Sequence, residues 1–278
     1  MGLSAASRIS QAQRLATSGV HGPWLPQVVP QVDAGYYWLA ASAVDHGEIT
    51  FNVPEGNGNT THDISQAVVA SQPTVLTESG GTQFRMRSTA DPNPSLPITT
   101  LLTVQAGWTG TTYLGMWLRI PDAGGDITSG NATPFGHNLT AGNQRRVNVQ
   151  LGNGTPDFVV VTSSADGLNQ SGNNIRVASQ TNGSWQWFEV IWDLAFALGG
   201  TSPTDYCKFF VDLVRITPNT LNPTTAPATL FDALAKIVVG SPVAAANGLT
   251  LDWAAVYYAN GIPSFENREA LRRHLAPA

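Results

Sequence analysis

Short segments of strand-forming residues alternate with clusters of turn residues along most of this 278-residue chain. Four such clusters are Pro54-Glu-Gly-Asn-Gly-Asn59, Asp91-Pro-Asn-Pro94, Asp122-Ala-Gly-Gly125 and Asn153-Gly-Thr-Pro156. Many short strands at this spacing are typical of an antiparallel sandwich or barrel. Charged residues make up only 12% of the chain, about half the usual share, which argues against long solvated helices. The pattern therefore predicts an all-β protein.

The strands can be placed by their apolar or alternating segments. We predict strands over 36–43, 47–53, 74–76, 83–87, 99–106, 112–120, 147–151, 157–162, 175–178, 187–193, 208–216, 237–239 and 249–259. A turn at Asn260-Gly-Ile-Pro263 and a short polar helix over 266–275 follow the last strand. Two stretches rich in Gly, Asn, Ser and Thr, 125–146 and 163–174, are predicted to be surface loops.

The N-terminal region differs from the rest. A weak apolar stripe over residues 2–18 predicts a short helix, and prolines at 23, 26 and 30 break any helix that would continue. The segment 19–30 is too apolar to be a solvated tether, so we expect it to dock on its own domain or on a neighbouring subunit. We divide the chain into an arm over 1–35 and a β-sandwich over 36–278. The docking residues predicted in the arm are Trp24, Leu25, Val28 and Val29.

Composition excludes several classes of partner. The net charge of −5 gives no reason to expect nucleic acid. No segment is apolar enough over sufficient length to insert into a bilayer, and the N-terminus lacks the apolar core of a secretory signal peptide. Cys207 is the single cysteine, and its apolar surroundings predict a buried thiol.

Three segments resemble the concanavalin A-like, laminin-G-like domains. They are the strand-and-turn 112–121, the tryptophan-rich segment 185–193 with its continuation 208–215, and the C-terminal strand and helix over 237–275. Asp212 stands where that family often has Asp-Gly, although Leu213 replaces the glycine. The resemblance implies a two-sheet jelly-roll sandwich with a short C-terminal helix. Proteins of this fold include phage virion and tail components, surface lectins, glucanases and alginate lyases.

The residues of this chain match neither of the two enzyme types of this fold, the glucanases and the alginate lyases. Glucanases carry Glu-x-Asp-x-x-Glu on one strand, and no such run occurs here. Glu189 and Asp193 lie four residues apart, about 13 Å along a strand, which is too far for the close carboxylate pair of a retaining glycosidase. We interpret them as the polar face of a sheet edge. Gln83–Arg87 resembles one lyase segment, but the lyase Gln-x-His and Tyr-x-Lys-x-Gly-x-Tyr patterns are missing.

Ligand residues are predicted in turns and loops. Trp108, in a turn-like stretch, is the candidate for stacking on a sugar, and the loop amides of Asn131, Asn138 and Asn169 are candidate hydrogen-bonding groups. No cofactor is predicted. Calcium is the metal that such loops would hold, because it prefers oxygen ligands, and Asp122 and Asp126 are the candidate ligands.

The preferred hypothesis is a non-enzymatic virion structural protein, a capsid decoration, fibre or tail component. The arm would anchor it to other virion proteins, it would form a homo-oligomer, and its loops would face host glycans. Arg268, Arg272 and Arg273 of the terminal helix are further docking candidates. The alternatives are a secreted polysaccharide-active enzyme of the glucanase or alginate-lyase type, an extracellular carbohydrate-binding module, and an intracellular assembly protein.

Overall fold

The chain is described by a computed structural model, which covers residues 35–40, 51–53, 56, 64–66, 74–78, 81–86, 98–100, 111–119, 131–139, 144–152, 158–163, 171–178, 183–193, 207–216, 220–222, 237–239 and 251–277. These residues form two antiparallel sheets and one short helix, in agreement with an all-β fold. The predicted helix over 2–18 and the arm over 19–30 lie outside the described residues.

The first sheet is built around the long C-terminal strand β17, which pairs with β7 on one edge and with β5 and β1 on the other. Its order is β14-β13-β12-β7-β17-β5-β4, with β1 also beside β17. The strands are β1 (Gly35–Leu39), β4 (Thr74–Glu78), β5 (Gly81–Met86), β7 (Thr112–Arg119), β12 (Gln186–Trp192), β13 (Cys207–Val211), β14 (Val214–Ile216) and β17 (Leu251–Asn260).

The second sheet has the order β15-β11-β10-β9-β8-β16-β6-β3-β2. Its strands are β2 (Phe51–Val53), β3 (Ile64–Gln66), β6 (Ile98–Thr100), β8 (Asn131–Leu139), β9 (Gln144–Gly152), β10 (Phe158–Ser163), β11 (Ser171–Ala178), β15 (Thr220–Asn222) and β16 (Ile237–Val239).

The core of the sandwich lies between the two sheets. The ring of Phe135 on β8 packs against Tyr258 on β17, with centroids 5.0 Å apart. The strand registers place Leu114, Met116, Val190 and Val256 on the same inner face as Tyr258, and all are buried. Since period-2 alternation puts every second residue on this face, one apolar set from each central strand fills the core.

The C-terminal helix α1 (Phe265–His274) packs on the opposite face of the first sheet. Its N-cap is Ser264, whose hydroxyl accepts a hydrogen bond from the Asn267 N–H at 3.3 Å, as Ser does at helix starts. Gly261, with φ +90°, makes the turn before it, where glycine carries no steric penalty. The predicted turn and terminal helix are confirmed. Among the described residues no helix has the length and apolar character needed to cross a membrane.

The two stretches predicted to be loops are partly strands, so that prediction is wrong. β8, the start of β9 and the start of β11 fall within them. Phe135 and Leu139 are the large apolar residues of β8, and the strand is held on both edges by β9 and β16. Pro134, which has no N–H to donate, falls where the β8–β9 register shifts, as expected for proline in a sheet.

The segment predicted as one strand over 208–216 is two strands, β13 and β14, joined by a hairpin turn. Asp212 and Leu213 form the turn with φ 50° and 69°. Two consecutive positive φ values are those of a tight hairpin turn that usually takes Asn-Gly or Asp-Gly. Leu213 therefore occupies a left-handed conformation that is costly for a residue with a Cβ, and tertiary contacts must hold it there.

Candidate functional site

The outer face of the first sheet, which α1 covers, combines aromatic side chains with a buried charge. In register, the outer residues of β7, β12 and β17 lie side by side, and Leu271 and Leu275 from the end of the helix pack on them. The outer-face cluster consists of Tyr37, Tyr113, Trp117, Trp187, Ile191, Ala254, Ala255, Tyr257, Ala259, Leu271 and Leu275. Aromatic side chains dominate it, and a carboxylate, Glu189, lies among them.

Glu189 is the centre of a buried polar cluster. Its carboxylate, which has no exposed surface, accepts hydrogen bonds from Arg268 Nε at 2.9 Å and from Arg268 Nη2 at 2.6 Å. Tyr113 donates its hydroxyl to the same carboxylate at 2.5 Å. The Arg268 guanidinium also lies 4.1 Å from the centre of the Phe210 ring. Two-pronged pairing of this kind is the strongest form of side-chain hydrogen bonding.

Glycine at position 115 makes room for this arrangement. A Cβ at Gly115 would overlap the Trp187 ring, which lies across the backbone of β7. Gly115 is the register partner of Glu189 on β12 and of Tyr257 on β17. A larger residue would therefore displace the Trp187 indole from its position beside Glu189.

Tyr113 and Arg268 both hold their protons more tightly than usual. Burial, and next the charge of Glu189, raise the pKa of Tyr113 well above its usual value. Burial acts to lower the pKa of Arg268, but the hydrogen bond and charge of Glu189 outweigh it and raise that pKa. A general acid or base needs a pKa near the working pH and access to its substrate. Tyr113 and Arg268 have neither, so they act with Glu189 as a buried, hydrogen-bonded ion pair that fixes the helix to the sheet.

A second ion pair lies at the end of β7. Arg119 binds the buried Asp252 carboxylate through Nε at 2.9 Å and Nη2 at 2.7 Å. The Arg119 guanidinium stacks over the Trp185 ring at 4.7 Å, and Trp185 is only partly buried. An aromatic face with an adjacent guanidinium is suited to contact a sugar ring and its polar substituents. Trp185 is therefore a second candidate stacking residue.

The third ion pair holds the strained hairpin turn. Asp212 accepts hydrogen bonds from Arg272 Nε at 3.1 Å and Nη2 at 3.0 Å, and its N–H donates to the Trp187 carbonyl at 2.8 Å. Trp117 Nε1 in turn donates to the Arg272 carbonyl at 2.9 Å. The last turn of α1 thus fixes a turn whose backbone conformation is unfavourable by itself.

The sequence interpretation of Glu189 as part of a sheet edge is wrong. β12 lies between β7 and β13, inside the first sheet, and Glu189 is buried. Asp193, just after β12, accepts a hydrogen bond from Thr111 Oγ1 at 3.3 Å and lies 4.0 Å from Lys208 Nζ. Each of the two carboxylates therefore has its own partners.

Two of the residues predicted to bind ligands lie at opposite ends of β8. Asn131 opens β8 and Asn138 lies seven positions later near its end, a separation of about 23 Å. Asn138 and the start of β11 lie at the same end of the second sheet. Asn169 precedes the first residue of β11 by two positions. Asn169 itself, Trp108 and the predicted calcium ligands Asp122 and Asp126 lie outside the described residues and remain predictions.

The predicted docking residues have different surroundings. Arg272 is half-buried against Asp212 and lies 5.6 Å from the Trp117 ring. Arg273 is exposed and pairs within the helix with Glu269 at 2.6 Å. Arg268 is buried in its ion pair, so the prediction that it docks a neighbour is wrong. The four apolar arm residues lie outside the described residues.

Sequence reasoning missed Tyr113, Arg268 and Trp185 as parts of polar clusters. Tyr113 and Glu189 are 76 positions apart, and Arg268 and Glu189 are 79 apart, so no local spacing signals the contact. A partial signal existed for Trp185, because it follows a turn at Gly183 and Ser184 and opens a strand. The prediction that Trp117, Trp192, Trp253 and Tyr257 are packing residues is confirmed by their burial, as is the buried thiol of Cys207.

Comparison with known proteins identifies the fold only. Neither a protein-family model nor a curated protein sequence matches the chain. The binding domain of Paraclostridial Mosquitocidal Protein 1 is similar in structure, with a TM-score of 0.54 and 10% identity over 87% of this chain and 52% of that one.

Two further solved structures are similar. A Trypanosoma rangeli sialidase, in complex with 2,3-difluoro-KDN, gives a TM-score of 0.54 and 11% identity over 95% of this chain and 38% of that one. The binding domain of botulinum neurotoxin DC, in complex with SialylT, gives 0.52 and 8% identity over 88% of this chain and 52% of that one. The chain therefore spans about half or less of the structures it matches. What it shares with them is a β-sandwich fold.

Proposed function

We propose that this protein is a non-enzymatic, lectin-like jelly roll of the concanavalin A-like kind that binds carbohydrate. The observation that carries the proposal is the two-sheet antiparallel sandwich, whose similar structures include binding domains and a domain in complex with SialylT. Fold alone does not set function. The chemistry of the first sheet adds support, because its buried carboxylates Glu189 and Asp252 are committed to arginines.

The ligand would bind outside the outer face, which α1 fills. Two aromatic residues are candidate platforms: Trp108, four positions before β7, and Trp185, at the opposite end of that strand. The Arg119 guanidinium lies over the Trp185 ring, 4.7 Å from its centre. Arg119 is already paired with Asp252, so this end would offer a sugar an aromatic contact rather than a free positive charge.

Glycan-array binding followed by calorimetry tests the proposal. We expect saturable binding without turnover, and Trp108→Ala or Trp185→Ala should weaken it about tenfold, the scale of one aromatic contact of roughly 1.4 kcal/mol. Phe265→Ala is the matched control, since Phe265 is an exposed aromatic elsewhere on the surface. Turnover of glucans or alginate would establish the enzyme alternative instead, and absence of any glycan binding would overturn the proposal.

We also propose that the protein serves in a virus particle, with its arm as the anchor to capsid or tail proteins and with copies assembled as a homo-oligomer. The support is the sequence of the arm, which combines three prolines with four apolar side chains between 23 and 30. Portal, capsid or tail genes beside this reading frame would support the setting. Neighbours that encode export and polysaccharide-degrading proteins would favour the extracellular alternatives.

A further inference from the structure

One row of side chains crosses the first sheet at the margin of the outer-face cluster. Arg119, at the end of β7, is the register partner of Asp252 on β17. On the other edge of β7, the antiparallel pairing with β12, continued by one residue, brings Trp185 opposite Arg119. Residues that face each other across strands in this way are neighbours, and the Trp185 ring also packs on the outer-face cluster.

The ion pair in this row holds the Arg119 guanidinium in one orientation. Asp252 is completely buried, and its Oδ2 lies 2.9 Å from Nε and 2.7 Å from Nη2 of Arg119. These two nitrogens form one edge of a planar group, so that edge points at Asp252. The centre of the Trp185 ring lies 4.7 Å from the guanidinium carbon, within the range of a cation–π contact.

The guanidinium in turn supports the indole of Trp185. The Arg119 side chain is only 14% exposed, whereas Trp185 is partly exposed. The arginine therefore contacts the indole from the protein side and leaves part of the ring to solvent. A sugar that stacks on a ring already held in place loses less conformational entropy than one that must first order the ring.

A second arginine on the same face provides a comparison. Arg272 pairs with Asp212 and lies 5.6 Å from the centre of the Trp117 ring. Trp117, however, is buried, and its Nε1 donates to the Arg272 carbonyl. That pair serves packing between α1 and the sheet, whereas the Arg119 pair supports a ring that a ligand can reach.

The geometry of the Arg119 pair also bears on the class of sugar. An acidic sugar would have to displace Asp252 from Nε and Nη2 or bring its own carboxylate close to that of Asp252, and like charges repel. The C–H face of a neutral pyranose can stack on the exposed part of the indole without either cost. Specificity can arise from such a penalty on the wrong ligand.

We infer that Arg119 and Asp252 are positioning residues for Trp185, and that the sugar which stacks on Trp185 is a neutral pyranose. Asp252 orients Arg119, Arg119 holds the indole, and the indole contacts the sugar. This inference rests on the proposed carbohydrate binding and adds a ligand class and two residues that act through Trp185.

Fluorine NMR of the full chain labelled with fluorotryptophan tests the positioning role without a ligand. Trp185→Phe identifies the Trp185 resonance among those of the eight tryptophans. Arg119→Lys keeps the charge but removes the planar group that stacks, so it should shift the Trp185 resonance and leave most others in place. Arg272→Lys is the matched control and should leave the Trp185 resonance unchanged. An unmoved Trp185 resonance in Arg119→Lys would overturn the positioning role.

Titration with matched sugars tests the ligand class. The probes are the methyl β-glycosides of glucose and galactose and the corresponding glucuronide and galacturonide, which carry an added carboxylate. A neutral glycoside should shift the Trp185 resonance and bind about threefold or more tightly than its uronide. Arg119→Lys should weaken that binding about threefold, the scale of one cation–π contact. Tighter binding of the uronide, or equal affinity in parent and Arg119→Lys, would overturn the inference.

Asp252→Asn tests whether Asp252 acts through Arg119. It keeps the size of the side chain and removes the charge that holds the guanidinium. It should weaken the neutral glycoside about as much as Arg119→Lys, and the double variant should be no weaker than either single variant, because both changes interrupt the same contact. Additive losses would contradict a route through Arg119. Urea unfolding checks that each variant folds, and the Arg119→Lys results stand without Asp252→Asn.

Failure of this inference differs from failure of the proposed function. A glycoside that shifts other tryptophan resonances but not that of Trp185 would leave carbohydrate binding in place and overturn the assignment to Trp185. Absence of any shift, together with absence of binding on a glycan array, would overturn both.

Discussion

The inner and outer faces of the first sheet are both buried, but different partners bury them. The inner face meets the second sheet through apolar side chains such as Leu114 and Val256. The outer face meets a ten-residue helix through aromatic rings and the Glu189–Arg268 ion pair. Apolar packing is non-directional, whereas a two-pronged ion pair requires one geometry. The outer face therefore specifies where the helix sits, and the inner face supplies bulk stability.

The largest expected effect comes from removing the buried anion. Glu189→Ala should lower the free energy of unfolding by about 3–5 kcal/mol, since it leaves Arg268 buried without its partner. Replacing both residues, Glu189→Leu with Arg268→Met, should recover most of that loss. Urea unfolding measures both. A small loss in the single variant would mean that the ion pair does not fix the helix.

On the inner face, Leu114→Ala should cost about 3 kcal/mol through lost burial and a cavity. Leu114 has no exposed surface, so the surroundings can relax only partly. This cost should not vary with salt or pH, because no charge is involved. Unfolding at two ionic strengths checks this, and salt dependence equal to that of Glu189→Ala would erase the contrast between the faces.

Tyr113→Phe should cost about 2 kcal/mol at neutral pH, the value of a hydrogen bond to a charged group. The pH dependence follows from the raised pKa of Tyr113. The folded protein keeps the proton, while the unfolded chain ionises near pH ~10, so this stability is present below that pH and is lost as pH rises above it.

Unfolding at pH 8 and above pH 10 tests that dependence. Between these two pH values, the free energy of unfolding should fall less for Tyr113→Phe than for the parent protein. Burial also raises the pKa of Tyr257, so Tyr257→Phe should reduce the same alkaline loss. An identical loss in parent and variants would show that these phenols ionise freely in the fold.

The smallest effect is expected at the partly exposed pair. Arg272→Gln should cost no more than about 1 kcal/mol, because both Arg272 and Asp212 are about one-third exposed. Arg273→Gln, which removes a more exposed pair with Glu269, is the control and should cost about 0.3–0.5 kcal/mol. A larger loss at Arg272 would indicate that the pair stabilises the Asp212–Leu213 turn by more than a partly exposed ion pair usually does.

Strand positions could be predicted where local patterns are strong. β7, β12 and β17 carry long apolar runs with turn residues beyond them, and the observed bounds agree within two residues of those predicted. β8 was missed because its two large apolar residues, Phe135 and Leu139, are too few to show a strand periodicity. The β13–β14 hairpin was missed because Leu213 stands where a turn would normally take glycine.

The chain's sequence by itself determined that it forms many short antiparallel strands and a terminal helix, because these depend on local periodicity and turn residues. Tertiary structure decided which face of each central strand meets the second sheet and which meets the helix. Both faces of β7 are apolar or aromatic, so alternation alone cannot tell them apart. Tertiary structure also decided the partners of Glu189. They lie 76 and 79 positions away in the sequence and come together only when the strands pair and the helix packs on them.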